Sequence, residues 1–264
     1  MHAANEGLSM KQVLSRVIFV AVILLAWELV SRAGIFSQLL FPSLEEIASA
    51  FVEGFLTEHL WSMAGYSMLL ILKGMAVGIC LSLVFSVLAI INSTCHSIFS
   101  MVVSTFDLLP GVALVPLAIL WFGIGEVTII VIVTHSIVWP MSRSVLDGFN
   151  STPKMYIEAG KNIGLKGFDL VRLVYAPAAF SYLLSGLRTG WARAWRAAIS
   201  TEMIFGTTGA GAGIGWYIYM KRTNLDTAGV FASLIVIVII GIVIEYGLFN
   251  TIERNTVRKW GMVR

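Results

Sequence analysis

The chain has 264 residues, 58% of them hydrophobic and 12% charged, with a net charge of +3 and a mean hydropathy of +0.86. A soluble domain carries about 25% charge, so an ordinary soluble domain is excluded. The small positive balance reads as membrane anchoring and not as nucleic-acid binding. Charge-free runs at 74–106, 108–125, 127–142 and 227–244 stand against the roughly 20 apolar residues a helical span needs. They predict an all-α, polytopic integral membrane protein built as a single domain over residues 1–264. Cys80 and Cys95 both fall in or beside apolar segments and read as packed thiols, not as a disulfide or metal site.

Taken in order, residues 1–15 form a polar lead with Lys11, and Arg16 opens a first span over 16–32. No small-residue cleavage site follows, so this span reads as an uncleaved anchor. Glu28 lies late in it, where a snorkelling or helix-paired carboxylate is expected. A loop with Pro42 follows, then a capped helix. Ser43 and Glu46 make a capping box, and Ile47, Ala50 and Phe51 give a helical stripe. Its charges are Glu45, Glu46, Glu53 and Glu58 with no Lys or Arg, which marks an outer face. The second span covers 61–91. Gly65, Gly74 and Gly78 permit close helix approach there. Lys73 interrupts it and must face a cavity or find a partner.

Residues 92–96 predict a tight turn. The third span, 97–122, is interrupted by Asp107, Pro110 and Pro116. These prolines, with Gly111, break the helix ladder and free carbonyls. In lipid such backbone is tolerated only where protein or a water-filled route covers it, and a plain proline kink is the alternative. The fourth span, 127–146, contains His135, Trp139 and Pro140. His135 is a candidate relay or ligand group, although one histidine without carboxylate neighbours reads first as a hydrogen-bonded core group.

The polar stretch 147–179 mixes Lys154, Lys161, Lys166, Arg172, Glu158 and Asp169 with Ile157, Ile163, Leu165, Phe168, Leu170 and Val171. This suits two short helices bent at Gly164, lying on the membrane surface or a partner. An ordinary amphipathic cytoplasmic loop has the same composition. The fifth span, 180–205, carries Arg188 near its start, where it can snorkel. Arg193 and Arg196 sit one turn apart on one face. Each costs on the order of 2.5–3.5 kcal/mol at a span centre. They are either paired with Glu28, Asp107 or Glu202 or form an electropositive stretch on the route of an anion, and the two are compatible. Residues 206–226 form an outer loop with a glycine-rich start. Without a following Gly-Lys-Ser/Thr this is a weak phosphate signal. Trp216, Tyr217 and Tyr219 fit an interfacial belt. The sixth span is 227–249, and the tail ends with Arg254, Arg258, Lys259 and Arg264.

Six spans put both termini on one side. Lys and Arg concentrate in the N-terminal lead, the 147–179 loop and the tail, with Lys221 and Arg222 as the outer exception. Both termini and that loop are therefore expected in the cytoplasm. No nucleotide-binding loop is present, since Gly160 and Lys161 are followed by Asn162. No catalytic triad or metal-ligand cluster stands out either.

Within the loop, Glu158, Ala159 and Gly160 precede Gly164 by three intervening residues, and nine more lead to Val174, Tyr175, Ala176 and Pro177. This pattern resembles the EAA loop of ABC-importer permeases. It departs at Gly160, where that family has Ala, and at Ala176, where it has Leu; Val174 for Ile is a minor change. The run from Leu108 to Glu126, ending in Trp121, Phe122, Gly123, Gly125 and Glu126, is similar to the nitrate/sulfonate/taurine/bicarbonate branch of those permeases.

The resemblance implies a type I importer permease of the bacterial inner membrane, a transport subunit and not an enzyme. It implies a homodimer or a pair with a close relative, two cytoplasmic ATPase subunits that bind ATP and Mg, and an extracytoplasmic substrate-binding protein. No cofactor is expected in this chain. Tyr156, Glu158, Ala159, Gly160, Gly164, Leu165 and Pro177 are the implied ATPase-docking residues. Asp107, Pro110, Pro116, His135, Arg193, Arg196 and Glu202 form the candidate translocation path. The implied solute is a small anion such as nitrate, bicarbonate or a sulfonate, although some relatives carry heterocyclic vitamins or precursors. An ion-coupled secondary transporter using Asp107, His135 and the arginines as a relay is the alternative, but no repeated halves are visible. An intramembrane enzyme fits less well, because the catalytic-type groups are isolated.

Overall fold

The computed structural model describes residues 10–37, 39–205 and 211–259. These separate into two compact units, Met1–His59 with Met220–Ile235 and Leu60–Tyr219 with Val236–Arg264. The glycine-rich start of the expected outer loop, at 206–210, and Arg264 lie outside the described residues.

In the first unit, α1 (Met10–Arg32) begins ahead of Arg16, since Met10, Lys11, Gln12 and Leu14 are all good helix formers. None of its most apolar stretch is buried. Its C-terminal end is tied down. Trp27 stacks on Phe41 with ring centroids 4.1 Å apart, and its Nε1–H donates to the Pro42 carbonyl at 3.0 Å. Glu28 pairs with Arg32 one turn on and accepts the Leu44 N–H at 2.9 Å. That fixes the start of α2 (Leu44–Leu56), where the Ser43–Glu46 capping box forms as the sequence predicts. Lys221 is buried and held by Glu58 and Asp226, each at 2.8 Å.

The second unit is built around three helices, α3 (Leu60–Ile91), α6 (Glu126–Asn150) and α10 (Phe180–Phe205). Small residues let them approach. A Cβ on Gly74 would sit 2.5 Å from Val133 Cγ1, and one on Gly186 would sit 2.6 Å from Ser144 Cβ. Gly78 of α3 and Gly190 of α10 both face Ile137 of α6, which is fully buried. The α6 side chains therefore wedge between backbones, the packing that membrane helices use in place of hydrophobic drive. Lys73 finds the partner it needs: its Nζ lies 3.1 Å from Glu126, which also accepts the Tyr66 hydroxyl at 2.8 Å.

The third span is not one rod. It consists of α4 (Ser93–Phe106) and a 3₁₀ turn, Gly111–Leu114, leading into α5 (Val115–Phe122), and the two parts meet at 87°. The expected turn at 92–96 shrinks to Asn92, whose side chain caps α4 by accepting the Thr94 N–H at 2.8 Å. α6 runs past residue 146 because Leu146 and Phe149 are buried. The polar loop then holds α7 (Lys154–Asn162), α8 (Gly167–Leu170), a wider π turn and α9 (Ala176–Ala178), bent by 74° against α10.

A short helix, α11 (Ile214–Thr223), follows. Tyr217 is fully buried rather than interfacial, while Trp216 and Tyr219 stack on each other in half-buried positions. The last span starts as α12 (Thr227–Ile242) and continues through π turns and α13 (Asn250–Glu253) into the tail. Cys80 and Cys95 are exposed, not packed, because they lie off the small-residue seam. Among the described residues, four helices are long and apolar enough to cross a membrane, or six if each bent pair is one span. The protein is an all-α integral membrane protein.

Candidate functional site

The bend after α4 opens a cleft against α6 and α10. Asp107 caps the end of α4, and Pro110, extended before the 3₁₀ turn, keeps the chain from continuing as helix. A cleft of about 320 Å³ results, lined among others by Asp107, Pro110, His135, Trp139, Arg193 and Arg196. The one-turn spacing of Arg193 and Arg196 on α10 does bring both onto it.

Asp107 is shared by two guanidiniums. Its Oδ1 accepts from Arg193, and its Oδ2 lies 3.2 Å from Arg143 of α6. The side chain of Asp107 is 11% exposed, but those of Arg193 and Arg143 are 39% and 46% exposed, so solvent partly screens both pairs. Of the three carboxylates that could have paired with the arginines, Asp107 is the one that does. Arg196 is exposed into the cleft and has no hydrogen-bond or ion-pair partner among the described residues.

His135 and Trp139, one helical turn apart on α6, form the inner wall with their rings edge to face at 5.7 Å. Trp139 also stacks on Phe106 at 5.1 Å. Both His135 ring nitrogens and the Trp139 Nε1 are buried with no hydrogen-bond partner among the described residues. An unmet buried polar group costs about 1–3 kcal/mol. His135 is thus not the hydrogen-bonded core group that its isolation in the sequence suggested.

Glu202 and Pro116 do not join this cleft. Pro116 opens α5 and is exposed elsewhere. Glu202 is 1% exposed. Its carboxylate accepts the Ser67 hydroxyl at 2.8 Å and the Gly215 N–H at 2.9 Å, while Ser67 Oγ accepts the Ile214 N–H at 2.9 Å. The pair therefore caps the N-terminus of α11, whose free N–H groups favour a carboxylate. A Cβ on Gly213 would strike the Glu202 carboxylate, so the two segments are in close contact.

The loop makes a second surface. α7 ends in a Schellman closure: Leu165 N–H donates to the Gly160 carbonyl and Gly164 N–H to the Lys161 carbonyl, both at 3.0 Å. Gly164 has φ of 90°, a conformation that excludes most side chains. Gly160 is buried, and a Cβ there would lie 2.9 Å from Val174 Cγ2. The departure from Ala at this position therefore has a steric reason. An apolar groove of about 590 Å³ runs between α7 and the 173–178 segment, lined by Tyr156, Ala159, Gly160, Ile163, Leu165 and Pro177 among others. Glu158 and Gly164 are exposed beside it but do not line it.

Sequence reasoning had not assigned Trp139, Arg143 or Ser200 to a site. Trp139 was signalled by its place one turn after His135, whereas the Arg143–Asp107 pairing spans helices and left no local sign. No group of three or more metal-ligating side chains occurs among the described residues.

Comparison with known proteins bears on both surfaces. A family model described as binding-protein-dependent transport system inner membrane component matches residues 74–257, which hold the cleft and the loop. The chain is 26% identical over 233 residues to the taurine transport system permease protein of Escherichia coli (strain K12), covering 86% of this chain and 83% of that one. It is 27% identical over 236 residues to the formylaminopyrimidine transport permease protein of Halalkalibacterium halodurans, covering 88% and 90%. It is also 32% identical over 157 residues to the riboflavin transport system permease protein of Chloroflexus aurantiacus, covering 60% and 57%.

Proposed function

We propose, from the premise that the chain belongs to the family of binding-protein-dependent transport system inner membrane components, that it forms the translocation path of an ATP-driven importer for a small anion. It works as a transport subunit and not as an enzyme. Two copies pair across the membrane, two ATPase subunits dock on the cytoplasmic loop, and an extracytoplasmic binding protein delivers the solute. Both termini lie in the cytoplasm with that loop.

The observation that carries this reading is the loop geometry. α7, closed by Gly164, borders an apolar groove, and Lys154, Glu158, Lys161, Lys166, Asp169 and Arg172 are exposed along the same segment. Such a surface suits a protein partner with an apolar contact and charges of both signs around it, a cation facing Glu158 among them. Binding and hydrolysis of ATP by the partner would move α7, and through the 74° bend at Ala179 the push reaches α10 and its arginines. The cleft favours an anion because Arg196 points a free guanidinium into it. The sulfonate group of taurine, the solute named for one relative, fits this reading. The formylaminopyrimidine and riboflavin permeases keep heterocycles as the second class.

Uptake by proteoliposomes containing the chain, its ATPase and binding protein tests the reading. Uptake of a small oxyanion should stop when ATP is removed and persist when ionophores dissipate ion gradients. Uptake that survives ATP depletion and collapses with the gradient would instead make the chain an ion-coupled secondary transporter.

A further inference from the structure

Three guanidiniums and one carboxylate link two pockets. Arg196, Arg193 and Asp107 line the cleft, while Arg143 lines a smaller pocket of about 80 Å³ with Ser100, Ser104, Asp147 and Asn150. Arg143 lies about two turns beyond His135 on α6, toward the 147–179 loop, so the smaller pocket is on the loop side of the cleft. Asp107 joins the two. One of its oxygens accepts from Arg193 and the other lies 3.2 Å from Arg143. Arg196 has no partner among the described residues. The cluster therefore keeps an excess of positive charge, yet only one of its guanidiniums is free.

We propose that Asp107 is a built-in competitor for the solute. It occupies the two guanidiniums that an anion leaving Arg196 meets next, so the anion is held weakly and handed on. The inference rests on the importer reading above. Three free guanidiniums would grip an oxyanion through several forked pairs, whereas a conducting site must bind weakly enough to release. The side chains of Arg193 and Arg143 are 39% and 46% exposed, so their pairs are partly screened and an incoming oxyanion can displace the carboxylate. Sharing makes that exchange cheap. Asp107 yields Arg193 and stays on Arg143, so its 11%-exposed side chain is never left unpaired. It reclaims Arg193 when the anion moves on. Asp107 is thereby a positioning residue that acts through the arginines and sets the balance between affinity and release.

Two measurements with methanesulfonate as the probe test this together. One is calorimetric titration of the permease–ATPase complex in lipid nanodiscs. The other is uptake by the same complex, with its binding protein, in proteoliposomes. Asp107→Asn should bind the probe about tenfold more tightly. Its maximal uptake should fall at least about threefold, because tighter binding acts mostly through slower release. A merely structural Asp107 predicts the opposite for binding, since arginines that lose their anchor lose their aim. Arg196→Gln should weaken the probe about tenfold, and adding Asp107→Asn to it should recover most of that loss by freeing Arg193.

The double variant Asp107→Asn with Arg143→Gln removes one charge of each sign. It keeps the net charge of the cluster and leaves Arg193 unpaired. It should bind the probe at least about threefold more tightly than wild type, which overall charge alone does not predict. It decides the matter if Asp107→Asn by itself fails to assemble. Affinity unchanged or weakened in these variants, tighter binding with undiminished uptake, or no binding to wild type would overturn the proposal. The two levels separate cleanly. ATP-driven uptake with unmoved affinities rejects the competitor alone, while uptake that needs no ATP rejects the importer reading and leaves the order of affinities to judge the competitor.

Discussion

α1 and α6 both have the length and apolarity of a membrane span, yet they are used in opposite ways. None of the most apolar stretch of α1 is buried in protein, against 61% of that of α6. α6 is the less uniform helix, with Thr128, His135, Ser136, Ser142 and Arg143 along it. Lipid is as apolar as leucine, so a uniformly apolar helix gains little by leaving it. A helix with polar groups must turn them toward protein or a watery cleft. Departure from uniform apolarity therefore marks the helix that carries the site.

The largest effect should separate these two helices by bulk. Gly190→Leu drives a side chain into Ile137 at the seam between α6 and α10. Overpacking costs about 1–3 kcal/mol when the surroundings can adjust, and here the neighbour is the fully buried Ile137 side chain, already wedged against Gly78. We expect the variant to lose its monodisperse peak in detergent size exclusion, while Ala21→Leu on the exposed face of α1 behaves as wild type. Equal behaviour of the two would erase the contrast.

A middle-sized effect compares carboxylates. Glu202→Ala strips the cap from α11 and leaves buried donors unmet, a loss of about 1–3 kcal/mol. It should lower the thermal midpoint clearly, and Glu28→Ala, half-buried at the C-terminal end of α1, should lower it less. The ranking reverses if the α1–α2 junction is the weaker point.

The smallest effect is in acid. Burial works against the charge on Asp226, but hydrogen bonds from Lys221 and the Gly229 N–H hold its carboxyl below the ordinary value. Its folded value is depressed, so its contribution is fully present above the unfolded carboxylate value of about 3.9 and is lost as pH falls through the lower folded value. Acidification from about pH 5 to about pH 3 should lower the thermal midpoint, and Asp226→Asn should remove part of that drop. An identical drop in the variant would place the acid sensitivity elsewhere.

Much of this was legible in the sequence, because hydropathy and capping are local. The capping box at Ser43 and Glu46, Gly74 and Gly78 at the seam, the broken third span and the turn at Gly164 all follow from neighbouring residues, whereas Gly65 meets no close neighbour. Pairing across helices was less legible. Lys73 demanded a partner, but nothing local pointed to Glu126, fifty-three residues away. Three carboxylates competed for Arg193, and only the 87° bend after α4 brings Asp107 to it. Glu202, a candidate path residue, lies outside the cleft and caps α11, because Ser67 and Gly215 meet it from other segments. Tyr217 likewise looks interfacial by residue type, yet packing buries it.

Purification of the chain from its native membrane in mild detergent, with mass identification of what accompanies it, tests the central claim most directly. The account predicts an ATP-hydrolysing subunit in equal number, lost when Glu158 is replaced by Lys or Gly164 by Leu although the spans stay inserted. A chain that emerges alone and still transports under an ion gradient, or an ATPase retained by both variants, would contradict it.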